Sequence, residues 1–153
     1  MHFWYKLLTY LFFPFANIYL ILRKINNKEH PIRYKEKLSK KNLERKSGFL
    51  VWFHVASVGE ALSILPLVKY LEKEEEIKKI LITSITLSSA EVLKKKYSES
   101  KKIIHQFLPL DIPYFVNNFL NYWSPNLSIF VDSEIWPNLI YEIKKKKNSF
   151  ITN

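Results

Sequence analysis

The chain has 153 residues, a net charge of +10 and no cysteine. That length fits one domain of ordinary size, or a domain with an anchor, and the missing thiols exclude disulfides, thiolate metal sites and a cysteine nucleophile. With 48% hydrophobic and 16% aromatic residues it can bury a substantial core, so disorder is not expected.

The chain opens on a nearly uninterrupted apolar block, Phe3 to Leu22, with Lys6 and Asn17 as its main polar intrusions. About 20 helical residues at about 1.5 Å each are enough to cross a hydrocarbon core. Trp4, Tyr5, Tyr10 and Tyr19 suit a membrane interface, to which Lys6 can snorkel. A cleaved signal peptide is disfavoured, because basic residues follow where a small-x-small site is needed. Pro14 either kinks one span or divides it into two pieces lying along the surface. Residues 1–24 therefore read as a membrane anchor helix and 25–47 as a basic juxtamembrane segment.

Between residues 23 and 46 there are ten basic side chains and three acidic ones, a net +7. Such a cluster is drawn to anionic inner-membrane lipids, each charge being worth on the order of 1 kcal/mol, and places the rest of the chain on the cytoplasmic side. A Lys- and Ile-rich background in the source genome explains the composition equally well. Nucleic-acid binding needs a basic stripe on the folded domain rather than beside an anchor, so it is not expected. From Glu29 to Ser47 the residues are charged, with Tyr34 and Leu38 at helical spacing, as in a short amphipathic helix or linker.

From residue 48 to 153 the chain falls into a regular alternation. Apolar strand candidates lie at Phe49–Ala56, Ile80–Ile85, Ile103–Leu108, Leu127–Val131 and Phe150–Thr152, with helical patterns at Ala61–Glu74, Ser89–Tyr97, Tyr114–Trp123 and Asn138–Lys147. This predicts an α/β fold, a Rossmann-like parallel sheet flanked by helices. In such sheets ligands bind beyond the carboxyl ends of the strands, and the polar, non-repetitive residues of the chain gather there.

After the first strand come His54, Ser57, Gly59 and Glu60. Gly59 is one of two glycines, and its place between strand and helix suggests a special backbone angle or the close approach of a ligand. Glu60 begins a helix, where a carboxylate is favoured by about 0.3–1 kcal/mol for structural reasons alone. Thr83 and Thr86 follow the second strand, and a hydroxyl there also serves as a helix cap. Asp111 precedes Ile112-Pro113, a cap-then-proline start for a helix. After the fourth strand stand Ser133, Glu134, Trp136, Pro137 and Asn138, an acid beside a tryptophan and a helix-starting proline. His54 lies inside an apolar strand and reads as a satisfied core histidine. His2, His30, His54 and His105 show no metal-ligand spacing, so no metal site is expected. No glycine-rich phosphate loop is present. Two carboxylates on one rim, Glu60 and Glu134, can divide labour, one taking a proton from an incoming hydroxyl while the other holds the substrate or orients the first.

These residues resemble the 3-deoxy-D-manno-octulosonic acid (Kdo) transferases of lipid A assembly. The resemblance runs through the anchor, WFHVASVGEA at 52–61, LITSITLSSAE at 81–91, LPLDIP at 108–113, SPNLSIFVDSEIWPNLI at 124–140 and the closing ITN at 151–153. It implies a glycosyltransferase-B architecture in which this chain is the N-terminal, acceptor-binding half. It implies Glu60 as the catalytic general base, with Ser57, Gly59, Thr83, Thr86, Asp111, Ser133, Glu134, Trp136 and Asn138 on the acceptor side. Transfer would run from CMP-Kdo to a lipid A precursor (lipid IVA), with inversion and with neither cofactor nor bound metal, at the cytoplasmic face of a bacterial inner membrane. The family continues for roughly as many residues again, an ordinary domain length, so the CMP-binding half is expected in a further C-terminal domain and this chain alone is expected to be inactive. Leu87-Ser88-Ser89 departs from the family, which there carries a proline or small residue and a glycine turn. The alternative from another class is a non-catalytic, membrane-tethered α/β binding module.

Overall fold

The computed structural model describes residues 2–40, 43–131, 136–146 and 149–152. Five parallel strands form one sheet: β1 (Phe49–His54), β2 (Ile77–Ser84), β3 (Ile103–Phe107), β4 (Leu127–Phe130) and β5 (Ser149–Thr152), in the order β3-β2-β1-β4-β5. The predicted α/β fold is therefore the observed one. The chain moves outward from β1 to β3, then returns to the other side of β1 for β4 and β5. The direction of winding reverses between β1 and β4, which makes the crevice beyond their carboxyl ends the place where such sheets take ligands.

Each face of the sheet has its own apolar layer, because successive strand residues point to opposite sides. Leu50 and Trp52 of β1 pack with Phe119, Leu120 and Trp123 of helix α6 (Pro113–Trp123) and with Leu139 and Ile143 of α7 (Pro137–Lys145). Val51 and Phe53 pack the other way, against Ala61 of α3 (Val58–Ser63), Val68 of α4 (Leu65–Lys73) and Leu93 of α5 (Leu87–Tyr97). The single helix predicted for Ala61–Glu74 is thus two. A proline in a helix interior removes a hydrogen bond and clashes with the preceding turn, so the helix breaks at Ile64 and restarts with Pro66 in its first turn.

The apolar block at the N-terminus also divides. Helix α1 (His2–Phe12) and helix α2 (Ala16–Ile25) are joined by a 3₁₀ turn, Phe13–Phe15, built around Pro14. One stripe of this pair lies on the domain. Ala16 and Leu20 are fully buried, and Phe13 stacks beside Tyr114 and Phe115 at ring separations of 5.2 and 5.3 Å. The opposite side, with Trp4, Leu8, Leu11, Phe15, Ile18, Leu22 and Ile25, is exposed. From Phe3 to Ile25 the segment is long and apolar enough to cross a membrane.

The charged stretch after it is not a solvated linker throughout. A 3₁₀ helix, Arg33–Leu38, folds along the outer edge of β3. Glu36 Oε2 accepts from Phe107 N–H (2.9 Å) and Arg33 Nη2 donates to His105 O (2.8 Å), so two side chains take the place of a neighbouring strand. Glu29, Glu36 and Lys37 are buried.

Candidate functional site

Glu60 sits in the first turn of α3, at the carboxyl end of β1. Ser57 caps that helix: its Oγ accepts the Glu60 N–H (3.2 Å) and donates its own proton to Glu60 Oε1 (2.5 Å). Glu60 Oε2 accepts the Ala56 N–H (2.7 Å). This is a reciprocal cap of the Ser-x-x-Glu kind, with the carboxylate reaching back to the backbone ahead of the helix. A carboxylate has about four acceptor positions, and these two bonds occupy one on each oxygen. The half-buried group is therefore held in orientation while both oxygens keep capacity toward solvent.

Gly59 shows no positive φ; that conformation belongs to Gly48, at +110°. Gly59 is exposed inside the first turn of α3, and a Cβ built there would meet only Ser57 Oγ, at 3.8 Å. The special backbone angle suggested for it is thus not observed, and a side chain there would make one ordinary contact, with Ser57. Thr86 caps α5, accepting the Ser89 N–H at 3.2 Å, and is exposed. Trp136 is half-buried just ahead of α7, its ring at 80° to that of His54. Ser133 and Glu134 lie outside the described residues.

Three other candidates are built into the fold. Thr83 is fully buried, and its hydroxyl accepts from Trp52 Nε1 (2.9 Å) and pairs with His54 Nδ1 (3.0 Å). Asp111 does not cap the helix two residues on, which has no side-chain cap at all. It caps α7 instead: Oδ2 accepts from Asn138 N–H (3.1 Å) and Oδ1 from Leu139 N–H (2.9 Å). Asn138, also buried, donates its Nδ2 to Asp111 O at 2.6 Å. Ligand-accessible positions among the described candidates are therefore Ser57, Gly59, Glu60, Thr86 and Trp136. Among the described residues no three or more His, Cys, Asp or Glu side chains stand together as a metal site would need.

Sequence reading missed the residues that tie the N-terminal helices to this rim. Tyr5 Oη donates to Asp111 Oδ2 (3.0 Å), and Asn138 Nδ2 donates to Thr9 Oγ1 (3.1 Å). Arg23 and Lys37 both bond Glu29, and Lys37 Nζ donates onward to Ile85 O (3.0 Å), in the loop before Thr86. The one available signal was Thr9, a polar residue inside the apolar block.

Residues 29–152 match the family model described as 3-deoxy-D-manno-octulosonic-acid transferase (kdotransferase). The chain is 38% identical over 149 residues to a 3-deoxy-D-manno-octulosonic acid transferase of Rickettsia bellii, covering 97% of the chain and 35% of that protein. It is 35% identical over 136 residues to a probable mitochondrial 3-deoxy-D-manno-octulosonic acid transferase of Arabidopsis thaliana, covering 89% and 30%. Over 101 residues it is 34% identical to a transferase of the same name from Haemophilus influenzae, covering 66% and 23%. The chain thus spans roughly a third of the length of the first two relatives, so what they carry beyond it is nearer twice its length than once.

Proposed function

Because this chain belongs to the Kdo transferase family, we propose that it is the acceptor-binding part of a glycosyltransferase moving Kdo from CMP-Kdo to a lipid A precursor such as lipid IVA, with Glu60 as the general base. The observation that carries this reading is the Glu60 carboxylate itself, oriented by Ser57 and the Ala56 amide at the open end of β1, beside the point where the sheet reverses.

A sugar hydroxyl becomes nucleophilic when a positioned base removes its proton as the new bond forms. In this reading the acceptor oxygen attacks the anomeric carbon of Kdo, its proton passes to a free position on Glu60, and CMP leaves the opposite face with the electron pair of the broken bond, inverting the centre. No metal or cofactor is assigned a part. Exposed Gly59, with no side chain of its own, lets the acceptor approach, and Thr86 and Trp136 follow strands β2 and β4 on the same rim. We assign the CMP-binding half to a separate C-terminal domain, which leaves this chain alone with an acceptor surface and a base but no turnover.

Helices α1 and α2 are assigned to the cytoplasmic surface of the membrane, lying along it. Their inner stripe is occupied by the domain and their outer face is apolar, the pattern of an interfacial helix. Lys28 and Lys35, exposed just past the apolar face, complement anionic lipid.

In the full-length enzyme, Glu60→Gln should lower transfer from CMP-Kdo about 100-fold or more while binding of radiolabelled lipid IVA stays within about twofold. Undiminished turnover in Glu60→Gln would refute the base; loss of acceptor binding together with an unchanged fold would favour a purely binding role.

A further inference from the structure

The first helix of the N-terminal pair is bonded to segments that follow the carboxyl ends of the strands, and the second reaches the loop after β2 only indirectly, through Arg23, Glu29 and Lys37. Helix α1 reaches the loop after β3 through Tyr5, and the start of α7 through Thr9. Asp111 and Asn138, the groups they touch, are buried and also bond each other. Asp111 in turn holds the Asn138 and Leu139 amides that open α7. A helix whose outward side is apolar and exposed thus bonds, on its inward side, the cap of α7.

An ordinary docked helix needs only apolar contact on its inner stripe. Here the stripe carries two hydroxyls at positions four residues apart, on one face: Tyr5 donates to Asp111, and Thr9, which donates its own proton to Lys6 O, accepts from Asn138. Tyr5 donates to a carboxylate, a stronger bond than one between neutral groups, and shares Oδ2 of Asp111 with the Asn138 amide that opens α7.

Resting on the transferase reading above, we propose that Tyr5 and Thr9 are positioning residues that transmit docking on an anionic lipid surface to the acceptor rim, by setting Asp111 and Asn138 at the start of α7. Lipid contact on the outer face of α1 limits the rocking of that helix, which tightens the Tyr5–Asp111 bond and with it the first turn of α7. The rim is then best ordered when the protein is at the surface where a lipid-linked acceptor is found.

The test uses vesicles of phosphatidylethanolamine and phosphatidylglycerol as the probe, and amide exchange at Asn138 and Leu139 as the readout. In the full-length protein, vesicles should slow these two amides about tenfold, and Tyr5→Phe should abolish that slowing while still binding the vesicles. Thr9→Val serves as the second variant should Tyr5→Phe fold poorly. Transfer assays then separate position from stability: Tyr5→Phe should lower kcat on vesicle-borne acceptor several-fold, with KM and Tm little changed. Amides indifferent to vesicles in the wild type, or slowed equally in both variants, would overturn the proposal. The exchange measurement needs no turnover, so a failed transferase reading leaves it standing, whereas a Glu60-dependent enzyme with unresponsive amides loses the coupling alone.

Discussion

His105 shows how a single side chain on β3 is constrained. A guanidinium only donates, so Arg33 Nη2, 3.0 Å from Nδ1, makes that nitrogen the acceptor and leaves the ring proton on Nε2, facing Ser84 Oγ at 2.8 Å. Burial first, and the Arg33 charge second, lower the His105 pKa from 6.5 to about 3. Between those values the unfolded chain binds a proton that the folded chain refuses. Stability contributed by neutral His105 is complete above about pH 6.5 and is lost as the pH falls toward 3, by at most about 1.4 kcal/mol per pH unit. Urea denaturation across that window should show a shallower pH slope in His105→Gln than in the wild type. The reciprocal cap of Ser57 with Glu60 went unread although it spans only four consecutive positions; the place of Glu60 in a first helical turn was legible. The role of Asp111 was not, because its partners lie 27 and 28 residues away and only the packed sheet brings them to it.

At the scale of elements, strands were easy to read and the N-terminal third was not. A parallel strand covered on both faces is a continuous apolar run, which is how Phe49–Ala56 and Ile80–Ile85 read; β2 in fact starts at Ile77, three residues earlier, because Lys78 and Lys79 hide its beginning. The segment between the N-terminal helices and β1 reads as a short amphipathic helix or linker, and a short helix with Tyr34 buried is there, but its charge gives no sign that Lys37 Nζ and Glu29 form a buried pair at 2.7 Å, with Arg23 on the same carboxylate. Burial lowers the Lys37 pKa, and Glu29 opposes that shift. Removing one partner of such a pair strands the other charge, whereas removing both does not. Glu29→Leu should therefore cost about 3–5 kcal/mol in chemical denaturation, and the double variant Glu29→Leu with Lys37→Met clearly less. Equal losses in the two would show that the ammonium group finds water.

The whole molecule is organised by the reversal of winding at β1 and β4, which the alternation of strands and helices foretold in class but not in strand order. Order depends on which strands pair, and pairing is a long-range choice among similar apolar runs. Glu60 stands at the end of β1, on one side of that reversal. Helix α1 lies against α6, α7 and the loop after β3, so the N-terminal helices and the candidate site share one end of the sheet.

One consequence concerns the outer margin of β3, where Arg33 and Glu36 stand in for a missing strand. The segment supplying them precedes every strand in the chain, so during synthesis the cover is made before the surface it protects. A polypeptide beginning at Gly48, trimmed to escape the greasy N-terminus, would expose bare peptide groups along that margin and invite another copy to add its own strand. In sedimentation velocity with mild detergent the trimmed form should self-associate more strongly than the 153-residue chain at the same concentration. Supplying residues 23–47 as a separate peptide should dissolve those assemblies, and assemblies that persist would show that Arg33 and Glu36 are not what keeps the margin closed.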